Sequence, residues 1–197
     1  MIRDKNPAWL NERANQTSSK LKLLCAAKGA SSAHMFHDDA FNYSEVDNYK
    51  TRRTLTLMPI KDFLSLAAPG FDQTKATNCL EITKSGTSFD SLIQLTFSHN
   101  GEGIAQVVGH EGRHRCHVLK AAGFTVVPVV LVSVGNGVGS EIRMDMQDHA
   151  CFDNISNQGQ ILPAKLISED GTHTLAMPTS ITHNLPKKRS RTSEPTL

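Results

Sequence analysis

Apolar residues along this chain change their spacing several times, and each change predicts an element. Leu92 to Phe97 alternates apolar and polar positions with the period of a half-buried strand. Ile104 to Val108 is a short apolar run between Gly103 and Gly109, and reads as a buried strand. The Asn100-Gly101 pair between them is a hairpin signal. Val118, Leu119 and Ala122 then recur at helical spacing, and Gly123 ahead of a β-branched run supplies a stop, so the pattern predicts a helix over 113–122. Thr125 to Val134 reads as a strand. Upstream, the pattern predicts a strand over 53–58, a short helix over 60–67, a break at Pro69-Gly70 and a further strand over 80–83. Downstream, residues 160–168 read as a last strand ending at the turn Glu169-Asp170-Gly171. Residues 6–28 read as helical and 28–47 as a polar loop. An antiparallel hairpin followed by strand, helix and strand fits an α+β domain with a mixed sheet. The expected division is an N-terminal helical extension and polar loop over 1–50, one compact domain over 51–175, and a disordered basic tail over 176–197.

The junction between the strand at Ile104 and the following helix carries the chemistry: His110, Glu111, Gly112, Arg113, His114 and Arg115 stand in one run. Two chemistries compete for it. His-Glu-x-x-His binds zinc when both imidazoles share one face of a continuous helix. That placement puts Gly112 in a helix interior, at a cost of about 1 kcal/mol relative to Ala. The zinc reading also needs a third ligand, and His117 falls on the same face only if all three histidines are helical. The flanks favour a strand-to-helix turn instead. A helix start offers unpaired N–H groups and a positive dipole end, and Arg113, His114 and Arg115 add donors suited to phosphate oxygens.

The order of strand, Glu-Gly-Arg-His-Arg, Gly123 and Val-Val-Pro-Val-Val resembles the ParB/sulfiredoxin superfamily, through Glu111, Gly112, His114, Arg115, Gly123 and Pro128. Leu55 to Leu66 is similar to the entry strand and short helix of ParB-like domains. The resemblance implies a nucleotide-binding fold in which this turn holds a nucleoside triphosphate, ATP or CTP with Mg²⁺. Contacts would come from Gly112, Arg113, His114 and Arg115, with His110 as a secondary contact and Glu111 as a catalytic or Mg²⁺-associated carboxylate. The chain departs from the family in two places. The Asn-Pro-Arg motif of chromosome-partitioning members is absent, and Arg113 stands where sulfiredoxins carry their catalytic Cys. Cys116 is three residues too late to replace it, so sulfinic acid reduction is not expected.

Composition narrows the partners. The chain has 197 residues, 39% of them hydrophobic, and a formal net charge of +2, which gives no global drive toward DNA or membrane. No apolar stretch reaches about 18 residues. Cys25, Cys79, Cys116 and Cys151 form no Cys-x-x-Cys pair and no secretion signal is visible, so reduced thiols in a cytoplasmic protein are expected. The Pro186-Lys187-Lys188-Arg189-Ser190-Arg191 run resembles a nuclear import signal and could meet nucleic acid through phosphate contacts. His34, His37, Asp38 and Asp39 have ligand chemistry but, on a polar loop, read as solvated side chains, while Asp145, Asp148, His149 and Asp153 lack the spacing and turn Gly of an EF-hand loop and read as a solvent-facing or lid segment.

The expected function is nucleotide binding as a switch or DNA-associated module, with homodimerisation left open. The alternatives are a small kinase or nucleotide hydrolase using Glu111, a zinc metallohydrolase, and a nuclease. The nuclease ranks last, because no paired carboxylates for two-metal chemistry lie near the turn.

Overall fold

Why the strands fall where they do follows from the β-branched runs, and their pairing sets the whole arrangement. A computed structural model describes residues 5–15, 31–41, 46–48, 51–99, 104–134 and 163–177. The strands are β1 (Val46–Asn48), β2 (Thr51–Pro59), β3 (Ile93–His99), β4 (Ile104–Glu111), β5 (Val126–Val134), β6 (Lys165–Ile167) and β7 (Thr174–Ala176). They form one mixed sheet in the order β1-β2-β5-β3-β4-β6-β7. The central strand β5 pairs antiparallel with β2, from Thr51↔Val134 to Pro59↔Val126, and parallel with β3, from Ile93↔Val129 to Ser98↔Val134. Strand β3 pairs antiparallel with β4, and β4 runs parallel to β6.

Four α-helices accompany the sheet among the described residues: α1 (Ala8–Ala14), α2 (Ile60–Leu66), α3 (Gln73–Ser85) and α4 (Arg113–Ala121). Helix α2 follows Pro59 directly, and Ile60 N–H donates to Thr125 O at 2.9 Å, so the end of β2 and the entry to β5 fix where it starts. One core joins Phe63 and Leu64 of α2, Cys116 and Leu119 of α4, and Leu95, Phe97, Val107, Val127, Val129 and Leu131 of the sheet. Each fully buried aliphatic or Phe side chain contributes about 1.5–3 kcal/mol relative to exposure.

A second cluster on the far side of α4 joins Val118 to Leu80 of α3 and to Leu10 and Ala14 of α1. Helix α4 is therefore covered on two sides. Segment 5–15 is tied in further by Asn6, whose Nδ2 donates to His117 O at 3.0 Å and whose Oδ1 lies 2.7 Å from His117 Nδ1. Segment 31–41 bridges Ser31 to Val126 and Phe36 to Phe89, and puts Met35 and Phe36 into the main core.

Strands were correctly placed by their runs at 53–58, 92–97, 104–108 and 125–134, each within a few residues. The strand expected over 80–83 is instead the middle of α3. Asp72 caps that helix by accepting from Lys75 N–H at 3.0 Å, and Gly86 ends it in the left-handed conformation at φ 74°. Ala76, Leu80 and Thr83, at steps of four and three, form its buried face. Within the segment read as a polar loop, the described residues form two short 3-10 turns, Ala33–Met35 and Asp38–Phe41, and strand β1. Strand β7 was not anticipated at all. The expected helix over 6–28 is described only as α1. The Asp145 cluster, Cys25, Cys151 and the basic tail lie outside the described residues.

Candidate functional site

Strand β4 runs into α4 through a single residue, Gly112, which has φ 88° and serves as the helix N-cap. A Cβ there would sit 2.7 Å from Ile93 Cγ1 and 3.1 Å from Arg115 Nη2, so the turn tolerates no side chain without movement of the core. Cys116 N–H donates to Gly112 O at 3.0 Å, the first helical bond, which leaves the N–H groups of the opening turn without intrahelical carbonyls. The turn and helix predicted from sequence are present at the predicted residues.

The two histidines of His-Glu-x-x-His do not share a helix. His110 is on β4 and His114 is on α4, with left-handed Gly112 between them. Their nitrogens also have other partners. His110 Nδ1 lies 2.7 Å from Glu169 Oε2, while His114 Nε2 accepts from Asp72 N–H at 2.8 Å. The helical pair that a zinc peptidase requires is therefore absent from this turn. Among the described residues no group of three His, Cys, Asp or Glu side chains could hold a metal ion. At the 3-10 turns, His37 and Asp39 approach to 3.4 Å as exposed neighbours, and His34 packs on the Phe124 ring at 5.4 Å.

His110 owes its position to an irregularity in the hairpin. Thr96 pairs with Gly109, but Phe97 pairs with Val107, so Val108 is an extra residue in β4. Val108 bulges out and is 50% exposed. A strand alternates faces with period two, so the added residue brings His110 onto the face of Leu95 and Val107, toward the helices. The Phe63 ring of α2 lies 6.5 Å from it, edge to face. Glu111, opposite Gln94, is on the other face.

The partner of His110 is rigidly mounted. Glu169 N–H donates to Leu66 O at 2.9 Å, and Glu169 Oε2 also accepts from Ala68 N–H at 3.1 Å. Gln106 Nε2 donates to Ser168 O at 2.9 Å, while Ser168 Oγ bonds Asp170 Oδ1 at 2.9 Å and accepts from His173 N–H at 2.9 Å. A carboxylate oxygen accepts and does not donate, so His110 Nδ1 is the donor of this pair.

The remaining residues of the run are bound into the structure more tightly than an open basic helix start would be. Arg115 is buried. Its Nη1 donates to Ser91 O and to Ser91 Oγ at 3.0 Å, and its guanidinium lies 5.9 Å from the centre of the Phe89 ring. Removing Arg115 therefore unsettles the segment leading into β3. Arg113 is buried beside the loop over 67–72, with Nη1 4.0 Å from a Cβ built on Gly70. Glu111, with its side chain 73% exposed, turns Oε1 to Gly112 N–H at 2.9 Å and to Arg115 Nη2 at 3.4 Å.

His114 ties α4 to the N-terminus of α3 through Asp72, and the Phe71 ring lies 5.7 Å away. Burial pushes its pKa below the ordinary value, against the opposing pull of the Asp72 charge. The backbone bond to Lys75 holds Asp72 below the usual carboxylate range. His117 is buried between Asn6 and the edge of Phe71. Cys116 is fully buried and its thiol pKa is driven far up by desolvation, so it is no nucleophile.

Glu169, Asp72, Ser91 and Phe71 were missed by sequence reasoning as members of this site. Glu169 stood out only as a turn residue, and nothing in its neighbours announces a partner 59 positions away.

No protein-family model, no curated protein and no solved structure matches the chain. What is established is a mixed α/β protein with a mixed sheet, and no described helix is long and apolar enough to cross a membrane.

Proposed function

We propose that the protein binds a phosphorylated ligand, a nucleoside triphosphate with Mg²⁺ in the first instance, at the start of α4. One observation carries the reading. Gly112 N–H and Arg115 Nη2 converge on a single carboxylate oxygen, Glu111 Oε1, so the donors of this turn already hold an anion supplied by the chain itself. A phosphate oxygen has the same charge and acceptor chemistry and would take the place of that exposed carboxylate. Arg113 and the Nδ1–H of His114 stand on the same opening turn.

The resemblance of Glu111, Gly112, His114, Arg115, Gly123 and Pro128 to the ParB/sulfiredoxin pattern adds the expectation of ATP or CTP. It also adds the role of a ligand-controlled switch or DNA-associated module. Glu111 is, in this reading, a gate on the anion position rather than a catalytic base.

The test is titration calorimetry with ATP, CTP and GTP, each with Mg²⁺, on wild type and on Glu111→Gln. Binding is expected for at least one nucleotide, tighter in Glu111→Gln, because the competing charge has gone. No heat and no thermal stabilisation with any of the three, in either protein, refutes the proposal.

A further inference from the structure

We infer that the loop over 67–72, between α2 and α3, is an acid-released strap: it stays hinged at Ala68 on the Glu169 and His110 pair and comes free at Asp72 when His114 takes up a proton. The inference is independent of the binding reading above. One imidazole of the run stands at each end of the loop. At the first end Ala68 N–H donates to Glu169 Oε2 at 3.1 Å, Glu169 N–H donates to Leu66 O at 2.9 Å, and His110 Nδ1 donates to the same Oε2 at 2.7 Å. At the other end Asp72 N–H donates to His114 Nε2 at 2.8 Å. Pro69, between them, has no N–H to add.

The two ends answer a proton differently because one imidazole donates and the other accepts. His110 Nδ1 is a donor whether the ring carries one proton or two, and a Glu169 carboxylate oxygen remains its acceptor, so mild acid leaves that anchor in place. His114 Nε2 accepts with its lone pair. A second proton on that ring can only enter at Nε2, where it meets Asp72 N–H as donor against donor, and the bond is lost.

The surroundings decide when this happens. Burial holds the pKa of His114 below its ordinary 6.5, while the Asp72 and Glu111 charges pull it up and Lys75 and Arg113 push it down. The strap is therefore closed above pH 6.5 and opens as pH falls below it. The Asp72 carboxylate is engaged elsewhere, its Oδ1 accepting from Lys75 N–H at 3.0 Å as the cap of α3. His117, the other imidazole against this loop, meets the edge of Phe71 and has Asn6 Oδ1 at its Nδ1. Release at Asp72 parts the Phe71 ring from His114 and uncovers Arg113, which is buried beside Gly70.

The test is hydrogen exchange, followed amide by amide by NMR on wild type and His114→Gln at pH 7.5 and 5.5, with each rate corrected for the intrinsic effect of pH. Wild-type Asp72 N–H should lose about fivefold or more of its protection at the lower pH, the effect of one hydrogen bond. Ala68 N–H, and Cys116 N–H inside α4, should lose less than about twofold. In His114→Gln the side-chain amide still accepts from Asp72 N–H but cannot titrate, so Asp72 should keep its protection at both pH values. Unchanged protection of Asp72 in wild type overturns the inference, as does an equal loss in His114→Gln, which would place the responsible proton elsewhere. Equal losses at Ala68 and Asp72 would remove the hinge, and an equal loss at Cys116 would mean unfolding of the whole protein; either result overturns it too. Should His114→Gln fail to fold, wild type decides alone: the Asp72 amide and the His114 ring must titrate with one midpoint, and separate midpoints refute the strap.

Discussion

Replacing Gly112 with Ala isolates the physical demand at the centre of the site. Two penalties combine there. The residue has φ 88°, where a Cβ costs roughly 1–2 kcal/mol. The Cβ would also lie 2.7 Å from Ile93 Cγ1, in a side chain that is wholly buried, and relieving such overpacking costs about 1–3 kcal/mol. Gly86 provides the control, because its φ is 74° and an added Cβ meets nothing within 4 Å. Loss of unfolded-chain freedom affects both substitutions alike and cancels in the comparison. Gly112→Ala should therefore unfold about 1–3 kcal/mol more easily than Gly86→Ala, which for a chain of this size is a further fall in Tm of roughly 2–12 °C. Urea unfolding followed by far-UV circular dichroism measures both variants on the same scale. If they agree within about 0.5 kcal/mol, Gly112 does not sit against Ile93 as described, and the strand-to-helix turn has been misplaced.

Two further tests address the surroundings of the turn. His114 has a pKa held below its ordinary 6.5 by burial, so the unfolded chain binds the proton more tightly and stability is lost as pH falls below about 6.5. His114→Gln keeps an acceptor for Asp72 N–H but cannot titrate, so its Tm should fall less than that of wild type between pH 7.5 and 5.5; equal slopes would remove His114 as the cause. Leu10→Ala should destabilise the whole protein by about 2–5 kcal/mol in urea, because Leu10 is fully buried against the α3 and α4 cluster. A loss under about 0.5 kcal/mol would mean that α1 is an appendage rather than part of the fold.

The chemistry-bearing run was legible because its signals are local. Gly112 and Gly123 bracket a helical repeat, and β-branched runs on either side can only be strands, so the strand, turn and helix were readable in order. Leu80 to Thr83 misled for a related reason: Leu-Glu-Ile-Thr alternates as a strand does but is too short to show the helical repeat, and the decisive signals, Asp72 and Gly86, lie outside that window. The role of His110 was not legible. Its face depends on one unpaired residue in a hairpin, and a bulge appears only when β4 is laid against β3.

Glu169, likewise, becomes the partner of His110 only because β6 runs parallel beside β4 and carries the following turn to its end. The sequence by itself determined the strand, turn and helix around Gly112 and which residues are gathered at the α4 start, since these depend on neighbours a few positions apart. Tertiary structure alone decided how those residues are used. It tied Arg115 to Ser91 and His114 to Asp72, turned Glu111 onto the donors of its own turn, and paired His110 with a distant carboxylate. Hydrogen-bond partners are set by proximity in space, and a chain reports proximity only along itself.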